Sequence, residues 1–227
     1  MKKLLLSFAA AALVLLPCTS PAADLTGLYI APKFALNVQH SDFGVSAAGK
    51  SVSLGSEAEP RAGGALAIGY DFAPKFDVPV RAELEYGAYG NVSRIKTAEN
   101  NVSFKSTSTI QTLLANVYWD IAGWNGFTPY VGVGAGVAFI KTEGKFRLPA
   151  AAAQRYPELT APWSDTDTVF AGQAGLGVSY AFSESVSADL GYRFLMTGDG
   201  SARRESVTLK AKDNYMHQVM LGLRVTF

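Results

Sequence analysis

From residue 28 onward, apolar side chains alternate with small or polar ones at a period of two, the spacing of a strand whose successive side chains face opposite sides. Over 28–38, Leu28, Ile30, Pro32, Phe34, Leu36 and Val38 share one face, opposed by Tyr29, Ala31, Lys33, Ala35 and Asn37. Over 62–72, Leu66, Ile68, Tyr70 and Phe72 oppose Gly63, Ala65, Ala67, Gly69 and Asp71; over 78–90, Val78, Val80, Ala82, Leu84 and Tyr86 oppose Arg81, Glu83, Glu85, Gly87 and Tyr89. Over 111–120, Leu113, Ala115, Val117 and Trp119 oppose Thr112, Leu114, Asn116, Tyr118 and Asp120, with Leu114 breaking an otherwise small or polar face. The segments 129–141, 170–182, 186–196 and 215–227 continue the pattern. It predicts eight strands.

An antiparallel sandwich shows the same alternation, so the second face decides. A solvent face carries many Lys, Glu, Thr and Ser, whereas here Gly, Ala and isolated charges dominate. That is what the inside of a narrow closed barrel holds. Aromatic residues gather at one set of strand ends (Tyr70, Phe72, Trp119, Phe182, Phe227), where a bilayer's headgroups begin. The links at 73–77, 121–127 and 183–185 are short, whereas those at about 40–61, 91–106, 142–167 and 197–213 are long and polar. Short periplasmic turns and long external loops are the asymmetry of an outer-membrane barrel.

The first residues read differently. Lys2 and Lys3 precede the apolar run Leu4–Leu16, which at 13 residues is too short to span a bilayer as a helix. Small residues follow up to Ala23, so residues 1–23 are expected to be a signal peptide cut after Ala23. The barrel domain is then 24–227. Its formal charge is −1, since Lys2 and Lys3 leave a chain of net +1, and its cysteine count is zero because Cys18 is the only one. A thiol-free chain suits an oxidising compartment, and a charge near zero excludes general nucleic-acid binding.

The run Thr128-Pro129-Tyr130-Val131-Gly132-Val133-Gly134-Ala135-Gly136-Val137-Ala138-Phe139, with Ala188–Phe194 and Leu221–Phe227, resembles the OmpA-type and opacity-type small outer-membrane barrels, the outer membrane protein beta-barrel domain group. The resemblance covers the whole chain after the signal and implies an all-β, eight-stranded antiparallel up-and-down transmembrane barrel in the outer membrane of a Gram-negative cell. It also implies that the last strand is read by the barrel assembly machinery, through Gly222, Val225 and Phe227. Met220 departs from the pattern, where a polar residue is usual.

Nine charged residues fall on the inward parity: Lys33, Asp71, Arg81, Glu83, Glu85, Asp120, Asp189, Arg193 and Arg224. Eight strands leave a lumen about filled by side chains, so these are expected to pair into a polar network, because an unpaired buried charge costs several kcal/mol. The competing reading makes Glu83 and Glu85, two apart on one face, an acid–base pair. The inward stripe Gly132, Gly134 and Gly136 lacks the Lys-Ser/Thr and helix of a phosphate loop and leaves room for bulky neighbours. It is also the one place where the lumen is expected to widen. His40 begins the first external loop, and His217, which faces lipid near Tyr215, lacks in His217-Gln218-Val219 the nearby Ser of a His-x-Ser lipase-type site. No metal-ligand spacing occurs, and no cofactor, metal or catalytic residue is expected.

Function is left to the loops, where Arg147, Arg155, Trp163, Arg203 and Arg204 are candidate binding residues. The reading is a non-enzymatic outer-membrane barrel with long external loops, serving envelope structure, surface interaction or adhesion. A narrow porin-like channel is the alternative, and a lipid-modifying enzyme the third. Expected partners are outer-membrane lipid and lipopolysaccharide, the assembly machinery during insertion, and a host or matrix surface ligand, with no nucleic acid.

Overall fold

A computed structural model describes residues 25–47, 50–97, 103–147, 162–198, 200–204 and 207–227, with Pro149 and Gln154. The signal segment with Ala23 and the Arg155 site lie outside these residues. Ten elements follow in chain order: β1 (Leu28–Ala47), β2 (Lys50–Asp71), α1 (Ala73–Phe76), β3 (Val80–Thr97), β4 (Ser103–Asp120), β5 (Phe127–Arg147), β6 (Trp163–Ala181), β7 (Val186–Thr197), β8 (Gly200–Arg204) and β9 (Val207–Thr226).

Each of β1 to β6 pairs antiparallel with the next, β7 pairs with β9, and β1 closes on β9. β8 continues the lane of β7, because both pair with β9, Thr197 opposite Asn214 and Gly200 opposite Ala211. The nine strands therefore form a closed barrel of eight lanes. Register partners followed from Lys33 through Ala65, Gly87, Thr112 and Ala138 reach Val169 of β6; followed through Gly222 and Asp189 they reach Ser179, ten residues along the same strand. That stagger is about 33 Å against a width of about 38 Å measured across the eight strands, a strand tilt near 40°. The lumen is consequently narrow.

The parity assignments place the side chains. Phe34, Leu36, Leu66, Ile68, Leu84, Val117, Val133, Leu176, Leu190 and Leu221 are all exposed, whereas Tyr29, Ala31, Ala35, Glu85, Thr112, Asn116 and Gln218 are buried. An inside-out pattern of this kind requires an apolar solvent outside. At the end with the short turns, Tyr70 packs against Phe72 and Phe76, and Phe127 and Phe182 flank Tyr180. The link at 73–77 is the single-turn helix α1 rather than a plain turn. Between β4 and β5, Trp124 and Phe127 exchange both backbone hydrogen bonds at 2.9 Å, around Asn125 (φ 49) and Gly126 (φ 84). Two left-handed residues give the tight hairpin whose twist matches the strands.

The other end differs from expectation. Most of the four segments read as long loops are strand: β1 and β2 pair up to Ala47 and Lys50, β3 and β4 up to Thr97 and Ser103, and β4 and β5 up to Ser103 and Arg147. His40, Arg147, Trp163, Arg203 and Arg204 thus lie on strands, not in loops. At a tilt near 40° each residue climbs about 2.5 Å, so roughly ten residues cross an apolar band about 25 Å tall. Seven lanes hold 18 to 22 residues each, and about half of each stands outside. Outside the bilayer neither face of a strand needs to be apolar. The alternation fades while the hairpin hydrogen bonds continue.

The projecting wall is split. Pairing of β2 with β3 stops at Gly63 and Tyr89, and that of β6 with β7 at Ala171 and Thr197. Among the described residues the wall above is two four-stranded sheets, β8-β9-β1-β2 and β3-β4-β5-β6. β3 turns away at a bulge between Tyr89 and Val92, and Pro60 lies on β2 where that strand is an edge.

Candidate functional site: the barrel lumen

Inward parity brings side chains from all eight lanes into one column, and the column has two kinds of filling. In the half nearer the short turns, ions meet ions. Arg81 grips Asp120 with two bonds, Nε to Oδ2 at 2.8 Å and Nη2 to Oδ1 at 2.7 Å. Lys33 reaches from β1 across β2 to both carboxylates of β3, bonding Glu83 and, at 2.7 Å, Glu85. Arg193 on β7 closes on Glu85 from the opposite wall at 2.7 Å. Glu83 also accepts the hydroxyl of Tyr118 at 2.8 Å, the amide of Asn116 at 3.1 Å and the hydroxyl of Tyr29 at 3.2 Å.

This arrangement bears on the acid–base reading of Glu83 and Glu85. Lys33 bridges the two carboxylates, and all four of their oxygens accept a bond from the protein. With a cation on each carboxylate and a protein donor on every oxygen, the geometry is that of a structural ion-pair network. Arg224 is held more loosely. Its Nη2 donates to Ser179 at 3.0 Å, while its nearest approaches to Asp189 and Asp71 are 3.8 and 4.0 Å. Those are water-bridging distances. A cavity of about 50 Å³ lies beside them, lined by Lys33, Arg81, Glu83, Asp189, Arg193 and Arg224 among others, room for a few waters.

The inward glycines make this packing possible. A Cβ on Gly132 would strike the Tyr118 ring, and one on Gly69 the Tyr29 ring. Gly177 and Gly191 leave the same kind of space for Tyr130, since a Cβ built on either would lie 2.5 or 2.7 Å from its hydroxyl. Each glycine is a seat for an aromatic ring from a nearby strand. The expectation that the stripe at 132, 134 and 136 widens the lumen is therefore corrected: Tyr118 and Asn116 fill it. The seated rings in turn stack on cations, Arg81 lying 5.2 Å from the Tyr118 ring centre and 5.0 Å from that of Tyr130.

Above Glu85 the chemistry changes. Arg193 donates to Gln218 and, at 2.7 Å, to the Tyr89 hydroxyl, and Gln218 donates to Asn37 at 2.6 Å. Thr112, 3.5 Å from the Tyr89 hydroxyl, is buried above this layer as well. Around and above these groups Ala35, the Tyr89 ring, Ile110, Leu114, Ala138, Ile140, Ala171, Leu195, Met216 and Met220 form one buried apolar cluster. It draws on seven strands, so it is a plug across the whole lumen.

The sequence reading did not find this plug. Leu114 and Met220 were exceptions to a polar face and are now explained: both are members of it, 0% and 8% exposed. The available signal was their company at inward parity, with Ile110, Ile140, Leu195 and Met216 at similar heights. Of the inward charges, the structure brings Lys33, Glu83, Glu85 and Arg193 together, joins Arg81 to Asp120, and sets Arg224 between Asp71 and Asp189. Gly222 sits beside Lys33, with 3.3 Å between a built Cβ and the lysine Cγ, and Phe227 closes the barrel seam through its backbone to Leu28 at 2.9 Å. Val225 pairs with Ile30 and Val186. His217 lies among Tyr192, Phe194 and Tyr215 on the outer surface. Among the described residues, no group of three or more His, Cys, Asp or Glu could hold a metal.

Known proteins match this architecture. The model of the outer membrane protein beta-barrel domain family matches residues 8–227. The chain is 29% identical over 144 residues to the outer membrane protein PagN of Salmonella typhimurium, covering 60% of this chain and 57% of PagN. It is 29% identical over 157 residues to a Rickettsia canadensis protein provisionally named an adhesin, covering 65% of this chain and 63% of that protein. The chain thus spans less than two thirds of the length of each. The crystal structure of OprG from Pseudomonas aeruginosa superposes with a TM-score of 0.52 at 18% identity, over 89% of this chain and 97% of that one, a likeness of fold. With a matching family model, a closed eight-lane barrel and an apolar outer face, this chain belongs to the outer membrane protein beta-barrel domain family and resides in the outer membrane of a Gram-negative cell.

Proposed function

We propose that the protein is a non-enzymatic barrel with a closed lumen whose external rim is a surface for attachment. The observation that carries this reading is the contrast in investment: the lumen is filled twice over, by ion pairs and by an apolar plug, while about half of most strands stands outside the membrane. A wall of that height has no use in spanning the bilayer. It does raise a rigid sheet surface above it, where binding residues are usually held. The provisional adhesin name of the Rickettsia relative agrees with attachment. Arg147, Trp163, Arg203 and Arg204 fall on this rim by backbone position, and together with Arg155 they are the residues to substitute first.

The test is attachment of cells that display the protein to immobilised matrix proteins and host cells. The rim variant joins His40 to Ala58 through a short turn, using their register pairing, and a heat-dependent gel shift shows that it is still a folded barrel. Attachment should rise several-fold with the wild type and fall to background with the variant. Equal attachment by the two would end the rim reading.

A narrow channel is the second reading, favoured by the cavity beside Arg224 and Asp189. Large, stable open-channel steps in a planar bilayer would put it first. The last strand is proposed as the assembly signal, through Gly222, Val225 and Phe227. Phe227→Asp should then be missing from the outer membrane, and normal levels of it would contradict the assignment.

A further inference from the structure

Neither the lumen nor the rim uses a patch of four rings on the outer face of β7 and β9. The His217 ring is nearly parallel to that of Tyr192, 6.1 Å away at 26°, and lies 5.1 Å from Phe194 and 5.7 Å from Tyr215. Phe194 and Tyr215 are 5.6 Å apart, closing the group. The Tyr192 hydroxyl and Nδ1 of His217 share a hydrogen bond of 2.5 Å. The bond fixes the two rings against each other.

The height of the patch says what it faces. Along β9 the outward residues Val225, Leu223, Leu221 and Val219 lead up to His217. Eight residues at about 2.5 Å each set His217 about 20 Å above Val225, near the far edge of a 25 Å apolar band. The girdle at the opposite edge is built differently: Phe72, Phe76, Phe127 and Phe182 gather around single tyrosines. The outer leaflet of this membrane carries sugar-headed lipid, the inner one phospholipid. Among the described residues, only the outer patch joins tyrosine to histidine.

The geometry points to a binding site for the sugar headgroup of an outer-leaflet glycolipid on Tyr192, Phe194, Tyr215 and His217. Ring faces accept the apolar face of a pyranose, while the phenol and imidazole edges meet its hydroxyls, a division of labour that aromatic residues with a polar tip supply. The acyl chains would run down the exposed Leu190 and Leu221 below. A phospholipid has no flat ring to lay on the patch. This site depends on the membrane location, and it stands whether or not the rim binds a ligand.

The test is native mass spectrometry of the purified, delipidated barrel titrated with diphosphoryl lipid A, monophosphoryl lipid A or phosphatidylethanolamine. Both lipid A forms should bind about tenfold more tightly than phosphatidylethanolamine, and Tyr192→Phe with His217→Leu should erase the difference. Tyr180→Phe, on the opposite girdle, should leave it intact. Tyr192→Phe alone keeps the ring and the fold, so it gives a reading even where the double variant misfolds, and it should lose part of the preference. Equal binding of lipid A and phosphatidylethanolamine by the wild type would overturn the site. So would an unchanged preference in both Tyr192 variants, and loss of binding with the monophosphoryl form would assign recognition to phosphate instead.

Discussion

The two halves of the lumen solve one problem by opposite chemistry. Both must fill a tilted cylinder of eight lanes without leaving room for water to pass. The half near the short turns does so with Lys33, Arg81, Arg193 and Arg224 set against carboxylates, each partner drawn from a different strand. The far half does so with Leu114, Leu195, Met216, Met220 and their neighbours. The polar half is directional, because a guanidinium meets a carboxylate only when both strands are in register. The apolar half is tolerant, since it asks for volume rather than orientation. Register is thus tied down where the ions are, and volume is filled where the apolar cluster lies.

The comparison breaks most visibly at Glu85. It is fully buried and binds two cations, Lys33 and Arg193. Glu85→Ala leaves both without their shared partner, and removal of one member of a buried pair costs about 3–5 kcal/mol. The urea midpoint of the folded barrel should fall accordingly, and conductance should stay near zero because the plug is untouched. A midpoint like that of the wild type would mean that solvent already reaches these ions.

The second break is outside the lumen and serves as its scale. Val133 is 62% exposed on the outward face of β5, and Val133→Arg should cost about 2–4 kcal/mol near the bilayer midplane. It should do so in bilayers and much less in detergent. Equal losses in the two media would contradict its lipid-facing position.

In the apolar half, Leu195→Ala removes a fully buried side chain and should cost about 2–3 kcal/mol, at the low end for such cavities because two methionines can refill the space. Conductance should again be small. Joined with Arg193→Ala, which opens the layer beneath, it should produce a measurable leak, whereas neither change alone does. A leak from Leu195→Ala by itself would show that the polar half is not a seal.

Legibility in the sequence followed the solvent. Where hydrocarbon lies outside, alternation is enforced, and 28–38, 78–90 and 215–227 were readable residue by residue. Above the bilayer that pressure is gone, so the upper parts of β1 to β6 and of β9 read as loops although their backbones pair. The inward charges were visible as a set, because a charge on the small-residue face is unmistakable. Their pairing was not, since Lys33 and Glu85 are brought together by a stagger that no single strand records. The plug stayed hidden for a related reason: Leu114 is an irregularity on its own strand and a member of a layer only across seven.

The smallest effect sharpens the same contrast. Lys141 and Glu143 stand two apart on the outward face of β5, with a nitrogen–oxygen distance of 2.7 Å, the same as between Arg193 and Glu85. Their side chains are 50% and 52% exposed, against 6% and 0% for the inner pair. In water the charges are screened and the long side chains lose freedom by meeting, so exposed pairs contribute about 0–1 kcal/mol. Lys141→Ala should therefore lower the unfolding free energy from urea titration by less than about 0.5 kcal/mol, and raised salt should remove even that. Neither variant partner is left stranded, because Glu143 simply returns to solvent. A loss on the scale of Glu85→Ala would mean that this stretch of β5 is covered in the native membrane, and that the apolar band reaches higher than Phe139.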